Sequence, residues 1–236
     1  MKPYIVLVLL FLGGATWYAT MRSPERITGE INEEFVAKLL KTDIGETIVV
    51  SSQGGDPDSA EAAAKVIIQN DLSIVVVEYC FSSCAEYILP AARDVEFKGA
   101  PLIGFHQNPL MIKHFLNSKP EYQDSKLCHF EDNLEFIENL HARKLGRTDF
   151  WHDVLLVIGK DKLEFRQADD CVEVRFGFKH NFWLPSSEQL KSQYRLGFKG
   201  KVCADEHKCL RRNIDRVWDK GTRIVGREYD YISNGR

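Results

Sequence analysis

The sequence lacks a large excess of charge of either sign, because 31 basic and 34 acidic side chains leave a net charge of −3. Nucleic-acid-binding domains usually carry a positive excess, so we expect no nucleic-acid partner. Internal repeats and low-complexity tracts are also missing, which excludes solenoid and fibrous architectures. No C-x-x-C or H-x-x-x-H spacing occurs, which argues against a zinc site, and no sequence motif indicates a cofactor.

The composition is that of an ordinary globular protein. Hydrophobic residues make up 44% of the chain and charged residues 28%, close to the usual values of about 45–50% and 25%. A length of 236 residues suits one domain with a short appendage. A sizeable hydrophobic core is therefore expected.

The N-terminus contains the longest apolar stretch, with no charge between Lys2 and Arg22. A signal peptide needs an apolar run of about 7–15 residues and a spanning helix about 17–25, and this stretch lies between the two. Small residues permit cleavage after Ala15, so residues 1–21 are either a cleaved signal peptide or an uncleaved helix. Either interpretation predicts a periplasmic or otherwise extracytoplasmic protein; the uncleaved helix would anchor it to the inner membrane through residues 4–20.

Six cysteines agree with export, because disulfides form and persist in oxidising compartments. A local bridge between Cys203 and Cys209 suits the short polar loop between them. The other four are Cys80, Cys84, Cys128 and Cys171. Free buried thiols are the alternative to disulfides.

Hydrophobic patterns predict alternating strands and helices after a polar linker at residues 22–28. Runs of β-branched and apolar residues predict buried strands at 47–51, 73–78 and 102–105. Helical spacing predicts helices at 33–40, at 59–70 with Ser59 as a cap, and at 82–92. The order β-α-β-α-β implies parallel strands, so residues 29–236 are predicted to form an α/β domain.

The second half is predicted in less detail. A long amphipathic helix is predicted at 127–145, and strands are predicted at 154–158 and 171–178. A further helix is predicted to begin after Pro185, with Ser186 or Ser187 as its cap.

Polar segments follow each of the three predicted strands, where the carboxyl ends of parallel strands share one edge. Gly54 and Gly55 allow backbone N–H groups to face a ligand, because no Cβ blocks the approach. Ser83 lies in the first turn of a helix, among free N–H groups. His106 follows the third strand and supplies the base that a serine nucleophile needs. The pattern predicts a nucleophile, a base and an oxyanion hole.

These segments resemble the ClpP/crotonase superfamily. SSQGGD resembles the S-P-G-G-x turn of Clp proteases, and SSCAEYILPAA resembles their A-S-M-G-A-x-L-L-x-A-G block. GFHQNP resembles their M-I-H-Q-P segment, with His106 placed 23 residues after Ser83. The resemblance covers residues 29–109. It implies an α/β fold in which β-β-α units with parallel strands form a spiral, preceded here by an N-terminal apolar helix.

The resemblance also implies a role for each matched residue. Ser83 would attack a carbonyl carbon, and His106 Nε2 would accept the serine proton. The N–H groups of Gly55 and Cys84 would hold the oxyanion, next to Gly54 in the same turn.

Several positions leave alternatives open. Ser82 adjoins Ser83, so the nucleophile is uncertain by one residue. The third triad position matches Asn181, where the family has an acid, and Asp169 or Asp170 is the alternative. Signal-peptide-peptidase relatives of the superfamily use a Ser/Lys dyad, and Lys126 lies 43 residues after Ser83.

Three functions follow. The first is an exported serine peptidase that acts on peptide or protein substrates, and the second is a catalytically inactive binding or scaffold protein in the periplasm. The third, an acyl-CoA enzyme of the crotonase type, conflicts with the export signal. The resemblance further implies a homo-oligomer, and the N-terminal segment implies contact with a membrane.

Overall fold

The main feature of the fold is a sheet of six parallel strands. The computed structural model describes residues 23–106, 108–117, 120–122, 128, 131–145, 154, 160–168, 170–178, 181–193, 198–218, 222–225 and 230–232. The predicted N-terminal apolar helix, Lys126 and Asp169 lie outside these residues. Of the strand predicted at 154–158 only Val154 is described, and Val154 is helical, so the prediction is wrong at that residue.

Eleven strands are present in the described part of the chain. They are β1 Glu25–Thr28, β2 Thr47–Ser52, β3 Ser73–Phe81, β4 Val95–Phe97, β5 Leu102–Gly104, β6 Lys160–Gln167, β7 Val172–Phe178, β8 Phe182–Trp183, β9 Phe198–Gly200, β10 Arg223–Val225 and β11 Asp230–Ile232. The main sheet has the order β1-β2-β3-β4-β9, and β5 pairs with the second half of β3. All of its pairings are parallel.

The helices connect and cover these strands. They are α1 Glu33–Leu39, α2 Pro57–Gln69, α3 (a π-helical turn Cys84–Ile88 continued by Leu89–Ala91), α4 Pro109–Asn117, α5 Glu131–Leu145, α6 Ser187–Gln193 and α7 His207–Val217. Short 3₁₀ turns lie at Pro120–Tyr122 and Cys203–Asp205. The parallel sheet with its helices confirms the predicted α/β class.

Helix α2 shows how local sequence sets these boundaries. It begins after Asp56, whose carboxylate accepts a 2.8 Å hydrogen bond from the Ser59 N–H, and Pro57 occupies the first helical position. The predicted cap at Ser59 is therefore wrong by three residues. The buried face carries Ala60, Ala63, Ala64 and Ile67, all 0% exposed, and the helix packs against α1 and α3.

The segment predicted as a linker contains a strand. Residues 25–28 form β1, which lies parallel to β2 with Ile27 opposite Val50. The Ile27 side chain is 0% exposed, so this short edge strand contributes to the core. Strands β4 and β9 were not predicted; each has three residues, and β9 reaches the sheet from a distant part of the chain.

Two smaller sheets complete the described structure. Strands β8 and β10 are parallel and β11 is antiparallel to β10, whereas β6 and β7 form an antiparallel ribbon. Helix α6 confirms Ser186 as its cap, because Ser186 Oγ accepts from the Gln189 N–H and Gln189 Oε1 accepts from the Ser186 N–H.

All six cysteines form disulfides, which is consistent with an oxidising, extracytoplasmic compartment. The pairs are Cys80–Cys84, Cys128–Cys171 and Cys203–Cys209. The predicted local bridge between Cys203 and Cys209 is therefore confirmed, and no cysteine is left as a free thiol. Among the described helices, none has both the length and the apolar character that crossing a bilayer requires.

Candidate active site

Ser82 occupies the corner between β3 and α3. Its φ is +53°, in the left-handed region that non-glycine residues rarely adopt. The Ser82 N–H donates to the Gly104 carbonyl at 3.0 Å, which extends the pairing of β3 with β5 by one step. A serine at a strained strand-to-helix turn presents its hydroxyl beyond the end of the sheet, as in the nucleophile elbow of α/β-hydrolases.

His106 lies directly opposite this corner. Its Nε2 is 2.5 Å from Ser82 Oγ. The preceding residue, Phe105, exchanges two backbone hydrogen bonds with Trp183, which fixes the chain where β5 ends. The ring of Phe182 meets the His106 ring edge-on, with 5.4 Å between the centroids and 77° between the planes. The imidazole is thus held between the serine and an aromatic side chain.

Ser83, the residue predicted as nucleophile, has a different partner. Its Oγ donates to the Gly55 carbonyl at 2.9 Å, and the residue is only 5% exposed. The serine that contacts His106 is therefore Ser82, the alternative that the sequence left open. The physical reason is the left-handed turn at Ser82, which directs the two adjacent hydroxyl groups to different partners.

The glycine turn lies against the same corner. The Gly54 N–H donates to Ser52 Oγ at 3.1 Å, so it is not available as an oxyanion donor. A Cβ at Gly54 would lie 2.6 Å from the Ser82 Cβ, so the role of Gly54 is to make room for the serine. Within the described part of the chain, the Gly55 N–H has no hydrogen-bond acceptor.

The second candidate oxyanion donor is the backbone N–H that directly follows Ser82. This N–H belongs to Ser83, whereas the predicted donor, Cys84, lies one residue further along the chain. Ser83 lies in the first helical turn, where backbone N–H groups have no intrahelical acceptor. Cys84 is 0% exposed, forms the disulfide with Cys80, and accepts a hydrogen bond from the Leu89 N–H in the π-helical turn.

Asn181, predicted for the third position, lies near Ser82, but its side-chain oxygen is engaged with Arg223. Asn181 Oδ1 accepts from the Arg223 N–H at 2.9 Å, and the Asn181 N–H donates to the Arg223 carbonyl, so the hydrogen bonds of Asn181 join β8 to β10. Asp170 is exposed in the turn between β6 and β7.

A cleft of about 640 Å³ opens beside Ser82. Its aromatic lining consists of Tyr79, Phe81, Phe182 and Trp218. Phe81 and Trp218 are in contact, with 4.5 Å between ring centroids, and Phe182 lies 5.4 Å from Trp218. Gln53 and Asn181 add polar groups, and Glu30 is the one charged residue among the lining residues described. The cleft thus presents aromatic side chains and polar groups together next to the serine.

A buried carboxyl group that no sequence motif indicates lies behind the site. Glu86 is 3% exposed, and its carboxyl faces the backbone N–H of His106 and the side chain of Asn108. Burial raises the pKa of Glu86 to about 8, and the two contacts oppose this only in part. A charged residue inside the apolar run AEYILPAA was the available signal.

The backbone of Glu86 has an unusual partner as well. Pro90 has no N–H, so it cannot donate to the Glu86 carbonyl four residues earlier. His141 of α5 replaces that donor, with its Nε2 2.7 Å from the Glu86 carbonyl oxygen. His141 is 3% exposed, and burial lowers its pKa to about 4, so the ring is neutral at physiological pH.

We expect the free energy of unfolding to fall by about 2 kcal/mol between pH 6.5 and pH 8 because of Glu86. Its ordinary pKa is 4.5 and its folded pKa is about 8, so in this window only the folded state keeps the proton. Stability from a raised pKa is lost as the pH rises towards the folded value. Below pH 6.5, His141 acts in the opposite direction, because only the unfolded state binds its proton.

Urea unfolding of the wild type and the Glu86→Gln variant at several pH values tests this expectation. The variant should lose the decline above pH 6.5 and show in full the decline at acidic pH that His141 causes, which Glu86 offsets in the wild type. Equal slopes in both proteins above pH 6.5 would contradict the assignment to Glu86.

No protein-family model matches the chain, and no curated protein sequence matches it. Within the described ranges, His, Cys, Asp and Glu side chains form no group of three or more that could hold a metal ion. Interpretation of the site therefore rests on its geometry, above all on the contact between Ser82 and His106.

Proposed function

We propose that the protein is an exported serine peptidase-like hydrolase in which Ser82 is the nucleophile and His106 the general base. The observation that carries the proposal is the 2.5 Å distance between Ser82 Oγ and His106 Nε2 at a strained strand-to-helix corner. A hydroxyl is a weak nucleophile unless an adjacent base accepts its proton, and this pair meets that requirement.

The proposed reaction is acyl transfer to serine followed by hydrolysis. Ser82 Oγ attacks the substrate carbonyl carbon while its proton passes to His106 Nε2, and the N–H groups of Gly55 and Ser83 stabilise the oxyanion. The tetrahedral intermediate expels the leaving amine, which takes the proton from Nε2. A water molecule then gives a proton to Nε2 and attacks the acyl-Ser82 ester, and the proton returns to Ser82 as the acid leaves.

The wider setting agrees with this activity. We propose that the parallel sheet and its site belong to the ClpP/crotonase superfamily, as the three motifs suggest, and that the chain forms a homo-oligomer. Three disulfides support a periplasmic or other extracytoplasmic location. The apolar stretch before Arg22 supports export and, if it is retained, attachment to the membrane.

The test is to treat the purified, oxidised protein with a fluorophosphonate–biotin probe and map the adduct by peptide mass spectrometry. We expect one adduct, on Ser82, and none on Ser83. Heat-unfolded protein is the control for non-specific labelling. An adduct on Ser83, or labelling that persists after unfolding, would overturn the assignment.

The surroundings of Asn181 favour a second candidate, a binding protein without turnover. The Asn181 side chain is engaged with Arg223, so the position that the family uses to orient the histidine has another task. A folded protein that takes no probe on Ser82 but binds peptides in the cleft would support this candidate over the peptidase.

A further inference from the structure

The residues behind Ser82 and His106 connect the two halves of the site. Ser82 begins the turn into α3, and Glu86 lies one helical turn further on, with its N–H donating to the Ser82 carbonyl at 3.0 Å. The Glu86 carboxyl faces the backbone N–H of His106 and the side chain of Asn108. The buried side chain of Glu86, on the helix that follows Ser82, thus contacts both His106 and Asn108.

Asn108 has a fixed orientation in this arrangement. Its Oδ1 accepts from the Met111 N–H at 2.9 Å and caps α4, so its Nδ2 is the end directed at Glu86. The residue is 3% exposed. Nδ2 and Glu86 Oε1 are both buried, and neither has a hydrogen-bond partner of normal geometry among the described residues.

We propose that Glu86 is a positioning residue, whose buried carboxyl joins the helix that follows Ser82 to the segment that carries His106. The inference rests on the proposed function, but it concerns a residue that touches neither substrate nor reacting atoms. His141 supports Glu86 from the opposite side by donating to its carbonyl oxygen. Loss of the carboxyl would remove the contact that holds His106 and Asn108 in place relative to α3.

The carboxyl has an oxygen that can accept from the His106 N–H whether or not it carries a proton. Besides His106 and Asn108, the groups that face Glu86 are His141 of α5 and Tyr87 of its own helix, and burial raises the pKa of Tyr87. None of these supplies a positive charge at neutral pH. A glutamine has nearly the size of glutamic acid and keeps one oxygen that can accept from the His106 N–H, whereas alanine keeps no acceptor.

The experiment compares Glu86→Gln, Glu86→Ala and Ile67→Ala in the full oxidised chain. Ile67 of α2 is 0% exposed, and its truncation costs stability away from the site. The rate of fluorophosphonate labelling should fall by about 10- to 100-fold in Glu86→Ala, because a small misplacement of the base has a large effect on rate. Glu86→Gln and Ile67→Ala should label at close to the wild-type rate at neutral pH.

A second measurement does not depend on turnover. The imidazole resonances of His106 are followed by NMR through a pH titration in the same four proteins. They should agree in the wild type, Glu86→Gln and Ile67→Ala below pH 8 and differ in Glu86→Ala. Unchanged His106 resonances in folded Glu86→Ala, or failure of glutamine to preserve them, would overturn the positioning role. An unlabelled wild type would count against the proposed function alone.

Discussion

Replacing Ser82 by alanine is expected to lower the rate of p-nitrophenyl acetate hydrolysis by about a thousandfold or more, to the level that the oxyanion donors and binding alone supply. The reason is the contact of Ser82 Oγ with His106 Nε2, because the proposed reaction passes the proton of this hydroxyl to the histidine. The measurement is the steady-state release of p-nitrophenol at fixed pH.

Ser83→Ala is the matched control, since it removes a hydroxyl one residue away. The Ser83 hydroxyl donates to the Gly55 carbonyl, and a neutral hydrogen bond contributes about 1 kcal/mol, so the rate should change by no more than about fivefold. Equal losses in the two variants would contradict the assignment, and a larger loss in Ser83→Ala would restore Ser83 as the nucleophile.

Removing the disulfide between Cys128 and Cys171 is expected to lower the free energy of unfolding by about 4 kcal/mol. The bridge closes a loop with a sequence separation of 43 residues, which constrains the unfolded chain strongly. It also joins the segment before α5 to β7, where the Cys128 N–H donates to the Val172 carbonyl at 3.2 Å. Urea unfolding of the double alanine variant under non-reducing conditions measures the loss.

The double alanine variant of Cys203 and Cys209 is the control. That bridge spans a separation of only 6 residues, so its removal should cost about 2 kcal/mol. A cost equal to or greater than that of the long bridge would show that loop length does not determine the stabilisation here.

Sequence patterns predicted the central elements well, for physical reasons. Strands β2 and β3 are β-branched runs with buried residues on both faces, and α2 combines an alanine-rich face with a proline at its first position. Three short strands of the main sheet carried no comparable signal. Strands β1, β4 and β9 have three or four residues each, and they form strands because a neighbouring strand offers hydrogen bonds.

The sequence predicted which segments meet at the edge of the sheet, but not which of their atoms form hydrogen bonds. The glycine turn, the serine pair and His106 follow parallel strands, so their meeting at one edge follows from strand order. The choice between Ser82 and Ser83 depends on a backbone angle and on the hydrogen bond from Ser82 to Gly104, and neither is visible in a pair of identical residues. The contacts of the Asn181 and Glu86 side chains likewise involve residues that are distant in sequence.

The pairing of a serine with a histidine thus has two origins. Local sequence alone placed a serine pair between β3 and α3 and a histidine after β5. It could do so because hydrophobic periodicity and turn preferences depend on only a few neighbouring residues. The tertiary structure placed Ser82 rather than Ser83 against His106, joined Asn181 to Arg223 between β8 and β10, and buried the Glu86 carboxyl behind the histidine. These outcomes arise from strand register and packing between distant segments, which no local pattern encodes.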